Sequence, residues 1–337
     1  MAQLIRSVSS SAYDTTYILK KAIPTLEKKL VLGDFAAPAI LPPNQGATAR
    51  WLLDTAIAIG SFTDALTDAS GGNITYATRD SVHETAFTGA KVEATIHTYG
   101  AFIPVRRQDL KTMPKSMMKR VGSRLAYLGA LVKDTLIRAQ CDGSGSAFDP
   151  SMGSGTTTTR KSIGDGTDNT TISASDKLTA EDLALVAGDL NAVDAEPFSN
   201  GMFAAVIHSV PETHLITDVA SGRINWQEIN KYVSGASGQE KITKGVVGAV
   251  AGVMAFRSNN IGQSTVDIAN VYENIVFADH GVGELSIDDA NPRIIVNKSG
   301  PQTVSDPHRM YSTIAFQFEA VPKLLDVNRV ALLYSAP

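Results

Sequence analysis

Apolar residues between Met113 and Cys141 recur at Met117, Val121, Leu125, Leu128, Val132 and Leu136, in steps of four, four, three, four and four. That spacing holds one stripe on one face of an α-helix. Pro114 suits a first helical turn, where its missing N–H has no partner to lose. Gly143, followed by Ser-Gly-Ser, supplies the stop. The pattern predicts a helix of roughly 27 residues, about 40 Å long, against a usual length of about 11–12 residues. Such a helix is a strut along which other elements must be arranged.

Elsewhere the period falls to two. From Lys91 to Tyr99, Val92, Ala94 and Ile96 alternate with Glu93, Thr95 and His97, which predicts a strand wetted on one face. Val82 to Phe87 is its expected partner, with Thr88-Gly89 as the turn. The polar, glycine-containing stretch from Asp64 to Arg79 cannot fill a core of its own, so a long hairpin here must rest on other protein. Near the other end, Ile314, Phe316 and Phe318 alternate with Ala315, Gln317 and Glu319. Lys323 to Leu325 and Arg329 to Tyr334 flank Asp326-Val327-Asn328 and read as a hairpin. The sheet so formed needs a cover, for which the apolar stripe of the long helix is the natural candidate.

Between these parts lies a mixed stretch, about 179–262. Thr179-x-x-Asp182 caps a helix carrying Leu183, Val186, Leu190 and Val193. Phe203 to His208 reads as a strand, Ser209 onward and Ile224 to Tyr232 as helices, and Lys244 to Ile261 as strands with tight turns. Asn270 to Ala278 and Arg293 to Asn297 are further short strands. Residues 1–50 read as an arm outside the core, with a modest helical piece from Tyr17 to Leu32. The three prolines Pro38, Pro42 and Pro43 then enforce extended backbone. Residues 143–178, rich in Gly, Ser, Thr and Asp, read as a surface flap. The fold class is α+β.

Composition narrows the chemistry. The net charge is only −4, so no general nucleic-acid binder or acidic tail is indicated. The single cysteine, Cys141, rules out an intrachain disulfide framework and any multi-cysteine zinc site, and it reads as a small buried side chain. No apolar run follows Arg6 as in a secretory signal, and none reaches the roughly 18 residues of a membrane span. A soluble intracellular product is expected. None of His83, His97, His208, His214, His280 and His308 falls at a metal-ligand spacing. Gly153-Ser154-Gly155 and Gly164-Asp165-Gly166 lack the Gly-Lys-Ser/Thr of a phosphate loop, and no Gly-x-Ser-x-Gly elbow occurs. No catalytic, cofactor-binding or metal residue is assigned. Against the acidic whole, the stretch from Asp109 to Asp142 carries seven basic and three acidic residues, a local +4. A charged helix face is what any solvated helix shows. It can also face a polyanion.

Taken in order, these parts resemble the major capsid protein family of tailed bacteriophages, the Hong Kong phage capsid fold shared with encapsulin shells. Leu41-Pro42-Pro43-Asn44-Gln45-Gly46-Ala47-Thr48 is similar to that family's "LP-N-G-T" segment, and Thr98-Tyr99-Gly100-Ala101-Phe102-Ile103-Pro104-Val105 to its "YG-F" return strand. Gly248 to Asn260 (GAVAGVMAFRSNN) looks like its "G-x-x-x-G-V…S-N-N" segment. The resemblance implies an N-terminal arm at 1–50, an extended loop with flanking strands at 51–107 and a spine helix at 108–142. It further implies the flap at 143–178, an inserted axial domain at 179–262, and the C-terminal strands of a peripheral domain at 263–337. It implies hexamers and pentamers of an icosahedral shell around double-stranded DNA, located in the virion and assembled in the host bacterial cytoplasm. Scaffolding, portal and decoration proteins are the partners it suggests, with no cofactor and no membrane. Some relatives crosslink through a loop lysine, and Lys91 is the one lysine in that loop, but no partner asparagine matches by motif. Lys115, Lys119, Arg120 and Arg124 are the candidate DNA-facing residues. An encapsulin-like compartment, or an oligomeric α/β hydrolase or sugar-binding domain, stays open as an alternative.

Overall fold

The computed structural model describes residues 30–42, 46–54, 89–106, 115–142, 159–162, 172–218, 246–264, 271–287, 293–297 and 310–337. In chain order, a 3₁₀ turn at Leu32–Phe35 precedes strands β1 (Ala37–Leu41), β2 (Thr48–Asp54), β3 (Gly89–Thr95) and β4 (His97–Arg106). The long helix α1 (Lys115–Asp142) follows, then β5 (Thr159–Ser162), α2 (Ala180–Ala192), β6 (Phe203–Ile207) and α3 (Ser209–Thr217). Strands β7 (Val246–Val250), β8 (Val253–Arg257), β9 (Gly262–Ser264), β10 (Val271–Phe277) and β11 (Val282–Ile287) come next. β12 (Arg293–Asn297), β13 (Tyr311–Leu324) and β14 (Val330–Ser335) complete the described elements. The chain divides into two compact units, 46–95 and the remainder.

Unit 46–95 holds β2 and β3, paired antiparallel from Thr48 opposite Thr95 to Asp54 opposite Gly89. Arg50 and Glu93 stand directly across from one another, with Nε 2.8 Å from Oε1, and Lys91 Nζ lies 3.7 Å from the same carboxylate oxygen. The strand expected from Lys91 to Tyr99 is therefore two strands, interrupted at Ile96. Alternation reveals a strand but not its partner: β3 pairs with β2, and the expected partner Val82 to Phe87 lies outside the described residues.

In the other unit, the 14-residue β13 organises a five-stranded sheet. β4 runs antiparallel to it along one side, β12 and β11 along the other, and β1 adds to β11 in parallel. Ser312, Ile314, Phe316, Phe318 and Ala320 of β13 are buried, as the alternation predicts. Ile314, Phe316 and Phe318 pack with Val121, Leu125, Ala126 and Val132 of α1, so the helix does cover this sheet. One stripe position differs. Leu128 is 42% exposed, and Gly129, one residue on and one turn after Leu125, faces the sheet instead. A Cβ at Gly129 would fall inside the Phe316 ring. The groove at a glycine admits the Phe316 ring of β13, a small-to-large fit that periodicity counted on apolar residues passes over.

The second sheet has seven strands in the order β5-β14-β10-β6-β8-β7, with β9 also paired to β10. Every residue of β6 and β14 is buried, as a strand covered on both faces requires. On one face lie Leu183, Val186 and Leu190 of α2 and Leu215 of α3. On the other lie Ile137 and Cys141 of α1 with Leu32 and Ile172. The β7–β8 turn uses Ala251 (φ 47°) and Gly252 (φ 82°), two left-handed residues in succession as a two-residue hairpin loop demands.

This sheet alters four expectations. The stretch 179–262 does not close on itself, because β10 and β14 from 263–337 and β5 from 143–178 complete its sheet. β13 and β14 form no hairpin with one another. The Asp326 carboxylate accepts from Asn328 N–H (2.9 Å), and the Leu325 N–H donates to the Gly281 carbonyl (2.9 Å), turning the chain from one sheet into the other. Residues 30–41 are no arm outside the core: Leu32 is fully buried and Phe35 packs against Phe198, Phe256 and Phe277. Within the expected flap, Ile172 is buried, and the Asp176 carbonyl accepts from the Ala336 N–H (2.9 Å). The helical readings at 17–29 and Ile224 to Tyr232 lie outside the described residues.

Gly129→Ala is expected to cost about 1–3 kcal/mol through overpacking, exceeding the roughly 1 kcal/mol that alanine gains over glycine in a helix. Thermal denaturation of the variant should show the loss, and Gly129→Ala with Phe316→Leu should recover most of it. An unaltered melting temperature would mean that the sheet yields freely at this point.

Candidate functional site

α1 changes the face it buries partway along. Its first half turns Val121, Leu125 and Gly129 to the five-stranded sheet, and its last turns bury Asp134, Ile137 and Cys141, at i, i+3 and i+7, under the seven-stranded one. Asp134, 3% exposed, stands at this change. Its Oδ1 accepts from the Leu32 N–H at 2.8 Å, and its Oδ2 accepts from Asn260 Nδ2 at 2.8 Å. Asn260 Nδ2 also donates to Thr135 Oγ1 (3.3 Å), and its backbone N–H to Ser258 Oγ (3.2 Å). Three distant parts of the chain, the segment before β1, the helix and the link between β8 and β9, thus meet at one carboxylate.

Burial pushes the Asp134 carboxyl above its usual range, and the hydrogen bond from Asn260 and those from the backbone of Leu32, Gly33 and Val31 oppose that rise. An unpaired buried carboxylate would be costly, so the joint holds only when all three parts are in place. Asn260 closes the Ser258-Asn259-Asn260 motif, so a sequence signal for one half of the joint existed. Asp134 carried none beyond its place in a helix.

The basic residues of α1 sort by position. Lys133 Nζ lies 2.7 Å from Glu284 of β11, and Arg138 Nη1 donates to the Asn260 carbonyl (3.4 Å), so these two charges serve internal contacts. Lys115, Lys119 and Arg120 lie in the first turns of α1, where the backbone is helical and the side chains are outside the described residues. Arg124 is exposed, one turn after Arg120. Lys91 of β3 is exposed beside Glu93.

Other surfaces suit contact with protein. Phe102 of β4 and Ile295 of β12 stand directly across Ala315 of β13, on the face turned away from α1, and are 67% and 37% exposed. Ile294 and Val296 at the β12 edge and Leu52 of β2 are also exposed. Among the described residues, no three His, Cys, Asp or Glu side chains converge as a metal site, and no helix is long and apolar enough to cross a membrane.

No family model matches the chain, and no curated protein matches it in sequence. Solved structures do. The capsid of Ralstonia phage GP4 is similar over 96% of this chain and 95% of its own, with 14% identity and a TM-score of 0.71. The Cyanophage Pam1 capsid matches over 100% and 99%, with 14% identity and a TM-score of 0.64. The head structure of Helicobacter pylori bacteriophage KHP40 matches over 98% and 97%, with 10% identity and a TM-score of 0.64. The chain has the α+β fold of these phage capsid structures along almost its whole length.

Asn260→Ala removes a hydrogen bond to a buried carboxylate and is expected to cost about 1.5–3 kcal/mol at pH 7. Because the folded-state pKa of Asp134 is raised, its unfavourable contribution grows as pH rises from the ordinary carboxylate value through the folded value, and is constant above it. The cost of Asn260→Ala should therefore shrink as pH falls through that raised folded-state value, where the carboxylate that Asn260 stabilises becomes protonated. Denaturant titrations at pH 7 and pH 3.5 check this, and an equal cost at both would remove Asp134 from the account.

Proposed function

We propose that this chain is a major capsid protein, assembling as hexamers and pentamers into an icosahedral shell around double-stranded DNA. The observation that carries the reading is the near-complete, two-way coverage between this chain and phage capsid structures. A likeness of one domain would leave the remainder of the protein free to do something else. The parts also suit the role. A two-stranded unit forms a body of its own, as an extended loop that laps a neighbouring subunit would. The exposed apolar residues of β4, β12 and β2 offer contact surface that an isolated subunit leaves wet.

The partner of first importance is the chain itself, and the shell is its location, in the virion after assembly in the host bacterial cytoplasm. A scaffolding protein, a portal protein and a decoration protein are further partners. In this reading the protein works mechanically and is no enzyme. Its contact with DNA is non-specific, through phosphates, with Lys115, Lys119, Arg120 and Arg124 as the inward-facing cations.

Negative-stain microscopy of the expressed protein, alone and with a candidate scaffolding protein, should show closed shells. A monodisperse monomer under all assembly conditions would overturn the reading, and shells that package protein and no nucleic acid would favour an encapsulin-like compartment. Neutralising Lys115, Lys119 and Arg120 should lower DNA retention in filled particles more than the yield of empty shells. Equal loss of both would assign those charges to folding or subunit contacts.

A further inference from the structure

α3 is a nine-residue helix with one histidine at its N-cap and another in its last turn. At its start His208 is the N-cap, and its Nδ1 accepts the Val210 N–H at 3.3 Å. A ring nitrogen accepts a hydrogen bond only while it carries no proton, so this cap exists only with that nitrogen unprotonated. The ring stacks on Tyr272 of β10 at a centroid distance of 4.5 Å, and the His208 N–H donates to the buried Asn274 Oδ1 (3.3 Å), which fixes the ring over the helix start. Protonation would replace the acceptor with a donor and set a positive charge at the positive end of the helix dipole.

Near the other end, His214 Nδ1 is buried without a hydrogen-bond partner. Burial, and then the charge of Lys177, lower its pKa below the ordinary histidine value. The charged groups about each ring can be set against one another. His208 faces Tyr272 on β10 and has, one turn along its own helix, Glu212 paired with Arg257 of β8 at 3.5 Å. His214 shares a cleft with Asp176 and Lys177 of the preceding turn, Glu181 and Asp182 of α2, and Asp218 just after α3. Of the carboxylates, Asp176 already accepts from the Ser173 N–H (2.7 Å) and Asp182 from Thr179 (2.6 Å), which ties them to local turns. For His214, burial and Lys177 leave the neutral ring favoured.

We propose that α3 is an acid-released clasp on the seven-stranded sheet: neutral His208 and His214 keep it seated, and protonation of both frees it. The segment it holds includes the fully buried Leu215, so release uncovers part of the core beneath α2 and α3. The sign follows from the depressed folded-state pKa of His214. Its contribution is present above the unfolded value of 6.5 and is lost as pH falls through the folded value.

Amide hydrogen exchange on the full-length protein tests this, with rates corrected for intrinsic pH dependence and the β6 amides as an internal reference. The α3 amides should lose about tenfold or more of their protection between pH 7.5 and pH 5 relative to β6, the order expected for losing a cap. His208→Asn supplies a cap that does not titrate, and His208→Asn with His214→Gln should keep α3 protection level over the same range. Wild-type α3 protection that stays constant relative to β6 would overturn the proposal. An undiminished pH response in the folded double variant would do the same. Should the double variant fail to fold, the wild-type titration and the His208→Asn single variant still decide.

Discussion

Two sheets that share no strand are built on one helix, and the helix must offer each of them a different face. Over its first half α1 presents the Val121, Leu125 and Gly129 side to β13. By its last two turns it presents Ile137 and Cys141 to β10 and β14. The handover occurs at Asp134, a buried carboxylate satisfied from outside the helix by Leu32 and Asn260. A hydrophobic residue there could pack, but it could not demand two specific donors. The polar joint fixes the rotation of the helix about its own axis, and with it the register of both cores.

That constraint accounts for placements that otherwise look incidental. The segment at Leu32 is drawn in from far along the chain to supply an N–H, and from there β1 has a short path to the edge of β11. Lys133, next to Asp134 and about 100° round the helix from it, reaches Glu284 on β11, while Arg138 reaches the Asn260 carbonyl. Neighbouring residues of one helix thereby touch both sheets. Charges that composition would count toward an external polyanion are consumed in this way.

What the sequence made legible follows from what each pattern measures. Period and caps report local geometry, so α1, the Thr179 capping box, the β7–β8 turn and the alternation of β13 were all readable. Pairing depends on residues far apart, and here local signals misled. The Asp326 turn looked like a hairpin loop, and the prolines before residue 44 looked like a detached arm. The apolar stripe was misplaced at Leu128 because a glycine can mark contact as firmly as a leucine does. The joint at Asp134 was invisible because a single acid on a helix is ordinarily solvated. Only its two distant donors make it otherwise.

The pairing order has a consequence for synthesis. Each sheet is completed by a strand from the stretch 311–335: β13 lies at the heart of one, and β14 bridges β5 and β10 in the other. β1, at residues 37–41, has its partner at 283–287. During translation pairs such as β2–β3 and β7–β8 can form early, but one sheet lacks its central strand β13 and the other lacks β14 until residues 311–335 emerge. Such high contact order slows folding and leaves sheet edges open meanwhile. A chain halted before β13 would lack the central strand of one sheet and the strand that joins β5 to β10 in the other.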